Sequence, residues 1–255
     1  MYSIRIACSR EDVDRLSGEL WEAGTLGIRE IDDGDGITLI ATFEAPQPGA
    51  WKEDESIDWV AKTQRAWQGR TIGERIFLAP KWSDKPTPLG RLRLVHNPGL
   101  ASGTGEHPCT QLALRALEEC VTPASRVIDV GTGSGILSIA ALLFGAASAV
   151  GLDVDESALA VARENHALSG LVPELIAGSA ECLADGCADI VVANISATVL
   201  LFLGDELLRI AAPGGQLILT GFVRSELTAI EQNFMGADSR ILQSDGWNCV
   251  ILQLT

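Results

Sequence analysis

The sequence predicts an α/β fold, a seven-stranded open sheet that ends in an antiparallel hairpin, with a small α+β domain ahead of it. Three observations carry this prediction. Residues 126–137 read R-V-I-D-V-G-T-G-S-G-I-L: a β-branched run, a glycine-rich turn, then apolar residues at helical spacing. Such a strand, turn and helix start cradle a ligand at the edge of a parallel sheet. Downstream, short apolar strands alternate with helical stretches as far as residue 235. The chain then closes with two strands around Ser244-Asp245-Gly246, a D-G hairpin turn, where an all-parallel sheet would continue with another β-α-β unit.

The elements follow in order. Residues 2–8 alternate and form a strand. Ser9 is the expected N-cap of a helix through residue 23, with Val13, Leu16, Leu20 and Trp21 as its buried stripe. Residues 26–31 and 37–43 are strands around the acidic turn 32–36. This first domain, residues 1–46, holds ten acidic side chains against four arginines and no lysine. So small a unit needs a neighbour or partner for stability, and an acidic module of this kind either selects a substrate or presents an ordinary solvated face. Residues 47–70 are a linker, opened by the Pro/Gly-rich E-A-P-Q-P-G of residues 44–49 and containing a helix over 56–68. The main domain spans 71–255. It begins with a strand over 72–82 and another over 92–96. A polar loop with Gly99, Gly103 and Gly105 precedes a helix that starts near Pro108–Thr110. Strands then fall at 127–130, 147–152, 174–176, 189–193 and 216–220, and helices at 157–169, 199–211 and 225–235. The hairpin pairs 239–243 with 247–254.

Composition narrows the classes. The chain has 255 residues, room for one α/β domain of roughly 150–200 residues and a small module. Hydrophobic residues make up 47% of it, ample for a core. No apolar run approaches the roughly 20 residues of a membrane span, and M-Y-S-I-R-I-A lacks a secretory signal's basic start and apolar core. The six cysteines form no C-x-x-C pair, so neither a disulfide framework nor a zinc site is expected, and the reading is a soluble cytoplasmic protein without a metal. A net charge of −15 argues against direct nucleic-acid binding, is compatible with a basic protein substrate, and equally describes an acidic surface kept for solubility.

The glycine turn decides the ligand class. A dinucleotide fingerprint reads G-x-G-x-x-G, and here Ile136 occupies the place of the last glycine. What stands instead is D-x-G-x-G-x-G, from Asp129 through Gly131 and Gly133 to Gly135. Asp153 closes the next strand 22 residues after Gly131, close to the roughly 20 expected of a carboxylate that accepts from ribose hydroxyls; Asp155 competes for the role. Asn194 ends the apolar strand 189–193, where such sheets hold ligands, although an Asn there is also an ordinary turn former.

The D-x-G-x-G-x-G turn resembles the first motif of the class I methyltransferases, which bind S-adenosylmethionine. Residues 97–110, N-P-G-L-A-S-G-T-G-E-H-P-C-T, are similar to the signature D-P-G-M-A-F-G-T-G-T-H-P-T-T of the bacterial family that methylates large-subunit ribosomal protein eleven (PrmA). Asp58-Trp59, Ile72-Gly73-Glu74-Arg75, Pro80-Lys81-Trp82, Gly151–Asp155 and Val192–Ile195 resemble further stretches of that family, so the likeness spans nearly the whole chain. Asn97, Leu100, Ser102 and Cys109 depart from the signature, and Ser102 removes an aromatic expected to shield or position a bound group.

The resemblance implies a Rossmann-like methyltransferase sheet and S-adenosylmethionine as cofactor. It implies N-methylation of lysine or α-amino groups on a ribosomal protein. Asp129, Thr104 and Thr110 would hold the methionine end, Gly131, Gly133 and Gly135 the turn, Asp153 the ribose, and Ser179 the adenine side. Asn194 would offer its carbonyl oxygen to the acceptor amine. His107 would be a proton acceptor or a hydrogen-bonding brace; His96 and His166 carry no constellation. Two other readings stay open: a methyltransferase for a different protein or small molecule, and a non-catalytic module that binds the same cofactor. A nicotinamide oxidoreductase is opposed by Ile136 and the terminal hairpin.

Overall fold

The structure, a computed structural model, describes residues 2–9, 12–25, 27–32, 36–45, 48, 51–52, 68–97, 105–172, 174–234 and 238–255. The chain divides into two units, Met1–Thr63 and Gln64–Thr255. In the first, β1 (Tyr2–Cys8), β2 (Gly27–Asp32), β3 (Ile37–Phe43) and β4 (Trp51–Lys52) form a sheet in the order β2-β3-β1-β4. Strand β4 lies in the stretch read as linker, and pairs antiparallel with β1, Tyr2 opposite Lys52. Two residues are too few to show a period in the sequence. Helix α1 (Val13–Glu22) buries Leu20 with Leu39, Ala41 and Phe43, while Val13 and Leu16 are partly buried. Two expectations fail here. Ser9 does not cap the helix; its hydroxyl donates to Asp12 Oδ2 at 2.7 Å, and Asp12 is the N-cap residue. Trp21, assigned to the buried stripe, is 56% exposed, because it sits one residue past Leu20 and so turns about 100° away from the sheet.

The second unit begins with β5 (Arg70–Ile72), β6 (Ile76–Pro80) and β7 (Leu92–His96), a three-stranded sheet of its own. The single strand expected over 72–82 is thus the end of one strand, a turn and a second strand. The turn is made at Gly73 (φ +54°), and the Glu74 N–H behind it donates to both carboxylate oxygens of Glu118. The expected helix over 56–68 lies outside the described residues but for Gln68, which is not helical.

Helix α2 (Pro108–Cys120) leads into the main sheet, made of β8 (Arg126–Val130), β9 (Ser148–Asp153), β10 (Glu174–Ala177), β11 (Ala188–Asn194), β12 (Ala211–Val223), β13 (Asp238–Ser244) and β14 (Trp247–Gln253). Its order is β10-β9-β8-β11-β12-β14-β13, the first five parallel and the last two antiparallel to their neighbours. The central strands are mainly apolar on both faces, as a sheet covered by helices on both sides requires. Val192, Ile218 and Ile251 face one cluster with Leu112, Leu117 and Ile139; Val191, Leu217 and Val250 face the other with Leu200, Leu207 and Ile230. Helices α2 and α3 (Ile136–Phe144) supply the first cluster, shared with Ile76, Leu78 and Leu94 of the small sheet. Helix α4 (Glu156–Leu168) joins β9 to β10, and α5 (Ala197–Phe202), α6 (Gly204–Ile210) and α7 (Leu227–Asn233) line the second cluster.

The single helix expected over 199–211 is therefore broken into α5 and α6. Gly204 marks the break: a Cβ there would stand 2.1 Å from Asn233 Nδ2, so the glycine lets α7 come close. The chain runs from β8 outward to β10 and then returns to β11 on the other side of β8. That reversal leaves a crevice outside the C-terminal ends of β8 and β11, where sheets of this kind bind ligands.

Candidate active site

The crevice is built first by the turn after β8. Gly131, Gly133 and Gly135 all have left-handed backbone, with φ of 71°, 52° and 80°. A Cβ on Gly131 would lie 2.5 Å from Ile195 Cγ2, and one on Gly135 would crowd His166 and Ala162 at 3.0–3.1 Å, so glycine is demanded by space as well as by φ. Helix α3 starts at once behind the turn, with Gly135 as its N-cap, and its first-turn Ser138 N–H points back to the end of β8.

Beneath the turn lies Asp129, fully buried. Its Oδ2 accepts from Thr132 Oγ1 at 2.7 Å and from Ser138 N at 3.0 Å, while Oδ1 is buried with no partner among the described residues. Burial pushes its pKa up to about 6; the bonds from Thr132 and Ser138 oppose the rise and nearby Asp153 adds to it. A buried carboxylate oxygen without a donor is costly, and a cation or N–H donor brought by a ligand would satisfy it.

Asp153 ends β9, half-buried. Its Oδ2 accepts from Gly133 N at 2.9 Å and its Oδ1 from Asp155 N at 3.0 Å, which holds the carboxylate against the glycine turn with lone pairs to spare. Its competitor Asp155 is engaged elsewhere. It caps α4, accepting from Ser157 N at 2.8 Å, and hydrogen bonding from the Ser157 side chain and then its N–H lowers its pKa. Ser179 lies just after β10, where Gly178 N donates to Asp153 O at 2.9 Å, so this loop borders the same edge.

Asn194 ends β11 beside the turn, since Ala193 pairs with Val130. Its Nδ2 donates to Oγ1 of the buried Thr110 at 3.1 Å, bringing together two residues 84 positions apart in the chain. With the nitrogen committed to Thr110, the oxygen Oδ1 is the atom left to accept. His107 is the N-cap of α2: its Nδ1 accepts from Cys109 N at 3.4 Å, and its ring meets Trp247 edge-on with centroids 4.4 Å apart. The same Nδ1 lies 2.7 Å from Cys109 Sγ. Thr104 lies outside the described residues, as do residues 98–103 of the same loop.

The polar groups that sequence reasoning missed lie underneath. His166, read as incidental, is fully buried; its ring bonds Ala162 O at 2.8 Å and Ser138 Oγ at 3.4 Å. Asn165 beside it is fully buried as well and donates to Ser134 O at 2.9 Å. Polar residues on the inner face of a helix were the available signal, legible only once that face is known. His96, also fully buried, has no hydrogen-bond partner on either ring nitrogen among the described residues, and burial lowers its pKa to about 4, so it is neutral. Among the described residues no group of His, Cys, Asp or Glu is arranged to hold a metal.

Strand order, terminal antiparallel pair and a glycine-and-carboxylate crevice at the reversal point together define a class I methyltransferase. Comparison with known proteins gives the family. The model of the ribosomal protein L11 methyltransferase (PrmA) family matches residues 38–255. A ribosomal protein L11 methyltransferase of Symbiobacterium thermophilum is 34% identical over 92% of this chain and 79% of its own length. Another, of Chromobacterium violaceum, is 38% identical over 76% of this chain and 64% of its own. The crystal structure of a ribosomal protein L11 methylase from Lactobacillus delbrueckii subsp. bulgaricus superposes with a TM-score of 0.69 at 31% identity, covering 74% of this chain and all of that one. The chain belongs to the ribosomal protein L11 methyltransferase (PrmA) family and is an S-adenosylmethionine-dependent methyltransferase.

Proposed function

We propose that this chain N-methylates lysine or α-amino groups of ribosomal protein L11, in the cytoplasm, with residues 1–46 selecting the acceptor and 71–255 carrying the chemistry. The names of its relatives and the excess of acidic groups, suited to a basic partner, support that acceptor. When bound, S-adenosylmethionine supplies an electrophilic methyl on a sulfonium. The glycine turn and the buried Asp129 suit that group: the backbone leaves room for close approach, and the partnerless Oδ1 suits an ammonium. In this assignment Asp129, Thr110 and Thr104 hold the methionine end. Gly131, Gly133 and Gly135 admit the backbone contacts, Asp153 accepts from the ribose, and Ser179 borders the adenine.

An acceptor lysine starts near pKa 10.4 and must release its proton to solvent water before it can attack. Asn194 Oδ1 accepts from the neutral amine and turns its lone pair toward the methyl; a neutral amide does this without stabilising the ammonium as a carboxylate would. His107, held as the helix cap, braces the start of α2. The bond from Asn194 Nδ2 to Thr110 Oγ1 carries this reading, because it leaves the amide oxygen as the acceptor beside the cofactor turn.

The test is calorimetry of S-adenosylmethionine and NADH on wild type and Asp153→Ala, followed by labelled-methyl transfer to purified ribosomal protein L11. Binding of S-adenosylmethionine alone, weakened in Asp153→Ala, with label on L11 amines lost in Asn194→Ala, is the expected result. A wild type that binds the cofactor but labels no L11 amine would exclude the acceptor and favour a different one.

A further inference from the structure

Helix α4 does more than cover the sheet. Asn165 is fully buried and uses both ends of its amide: Oδ1 accepts from Asn97 N at 2.7 Å, and Nδ2 donates to Ser134 O at 2.9 Å. Ser134 lies within the glycine turn, and Asn97 is the residue at which the chain leaves β7. One side chain therefore spans two backbone segments 37 positions apart, one of them the glycine turn. Neighbouring bonds fasten the same helix to the same strand end. Asn97 Nδ2 donates to Glu164 Oε1 at 3.0 Å, and Ser169 Oγ donates to Val95 O at 3.1 Å. Neither of those reaches the glycine turn.

We propose that Asn165 is a positioning residue that ties the glycine turn to the exit of β7, so that ordering of the turn by the cofactor is transmitted to the end of β7. A planar amide suits this role. It offers an acceptor to a backbone N–H and a donor to a backbone carbonyl in one rigid unit, and it carries no charge into a buried site. Neither Asp, which has no donor when ionised, nor Leu, which has no polar atom, can make both bonds.

The experiment compares wild type, Asn165→Ala, Asn165→Asp and Ser169→Ala. Calorimetry gives the Kd of S-adenosylhomocysteine, used as an unreactive probe, and hydrogen exchange follows the peptides covering 92–97 and 131–138 with and without it. Expected is roughly tenfold weaker binding in Asn165→Ala. The probe should slow exchange of both peptides in wild type but only of 131–138 in the variant. Ser169→Ala, which loses a latch of the same helix to the same strand, should lower Tm and leave both the Kd and the linked protection as in wild type. If Asn165→Ala does not fold, Asn165→Asp serves: it keeps the acceptor for Asn97, loses the donor to Ser134, and should lose the linked protection. Wild-type Kd and linked protection in a folded Asn165 variant would overturn the proposal, as would equal losses in Ser169→Ala. The inference rests on the cofactor reading: a wild type that binds no S-adenosylhomocysteine overturns both, whereas binding without transmitted protection overturns this one alone.

Discussion

Replacing Asp129 by Asn tests whether the site stores an electrostatic cost that the cofactor relieves. The carboxyl is fully buried and its pKa stands at about 6, against 3.8 for the ordinary group. Because the folded value is the higher one, the folded chain holds this proton more tightly than the unfolded chain does. The stability gained from it is complete below pH 3.8 and is lost as pH rises through about 6. The full swing is about 3 kcal/mol, and about 2 kcal/mol of it falls between pH 4 and pH 7.5. Asn cannot titrate, so the stability of wild type relative to Asp129→Asn should rise by that amount as pH is lowered across this range. Constant contributions, such as an amide N–H left without an acceptor where Oδ1 now stands, drop out of the comparison. Urea denaturation of both proteins at pH 4, 5, 6 and 7.5 measures it. At pH 7.5 calorimetry should show weaker S-adenosylmethionine binding by the variant, which has lost the anion. A stability difference independent of pH would refute the reasoning, as would one of opposite slope.

Three other substitutions probe separate parts of the site. Thr110→Val removes the acceptor of Asn194 Nδ2 and frees the amide to rotate; kcat for methyl transfer should fall roughly two- to tenfold, read with labelled methyl groups. Gly131→Ala places a Cβ 2.5 Å from Ile195 Cγ2 on left-handed backbone, and should cost about 1–3 kcal/mol in thermal or urea denaturation and weaken cofactor binding. Leu112→Ala, at a fully buried position in the cluster beneath α2, should cost about 2–5 kcal/mol of stability while the cofactor Kd of the remaining folded protein stays near wild type.

Much of this architecture was legible because its signals are local. The seven strands of the main sheet, the glycine turn, Asp153 and Asn194 at strand ends and the D-G hairpin each announce themselves within a few residues. What escaped depends on distant partners or on single steps of helical rotation. Strand β4 is two residues long and exists only by pairing with β1. Trp21 follows a buried Leu20, and apolarity alone cannot say which of two adjacent residues faces inward. Gly73 and Gly204 read as tolerable within a strand and a helix; the neighbours that make them breaks, Glu118 and Asn233, lie 45 and 29 residues away.

The polar layer under the glycine turn shows the same limit at the site itself. Asp129 is prominent in the motif, yet its raised pKa comes first from burial, opposed by bonds from Thr132 in the turn and Ser138 in the helix behind it and reinforced by Asp153 of the next strand. His166 and Asn165 stand on α4, in a stretch that reads as an ordinary amphipathic helix, and only packing reveals that its inner face is polar where it meets the turn. A motif therefore names the atoms that would touch the ligand, whereas the residues that hold those atoms in place are chosen by the fold. Substitutions on the inner face of α4 should accordingly alter cofactor binding without touching the cofactor, an effect that neither the motif nor the strand-end residues would disclose.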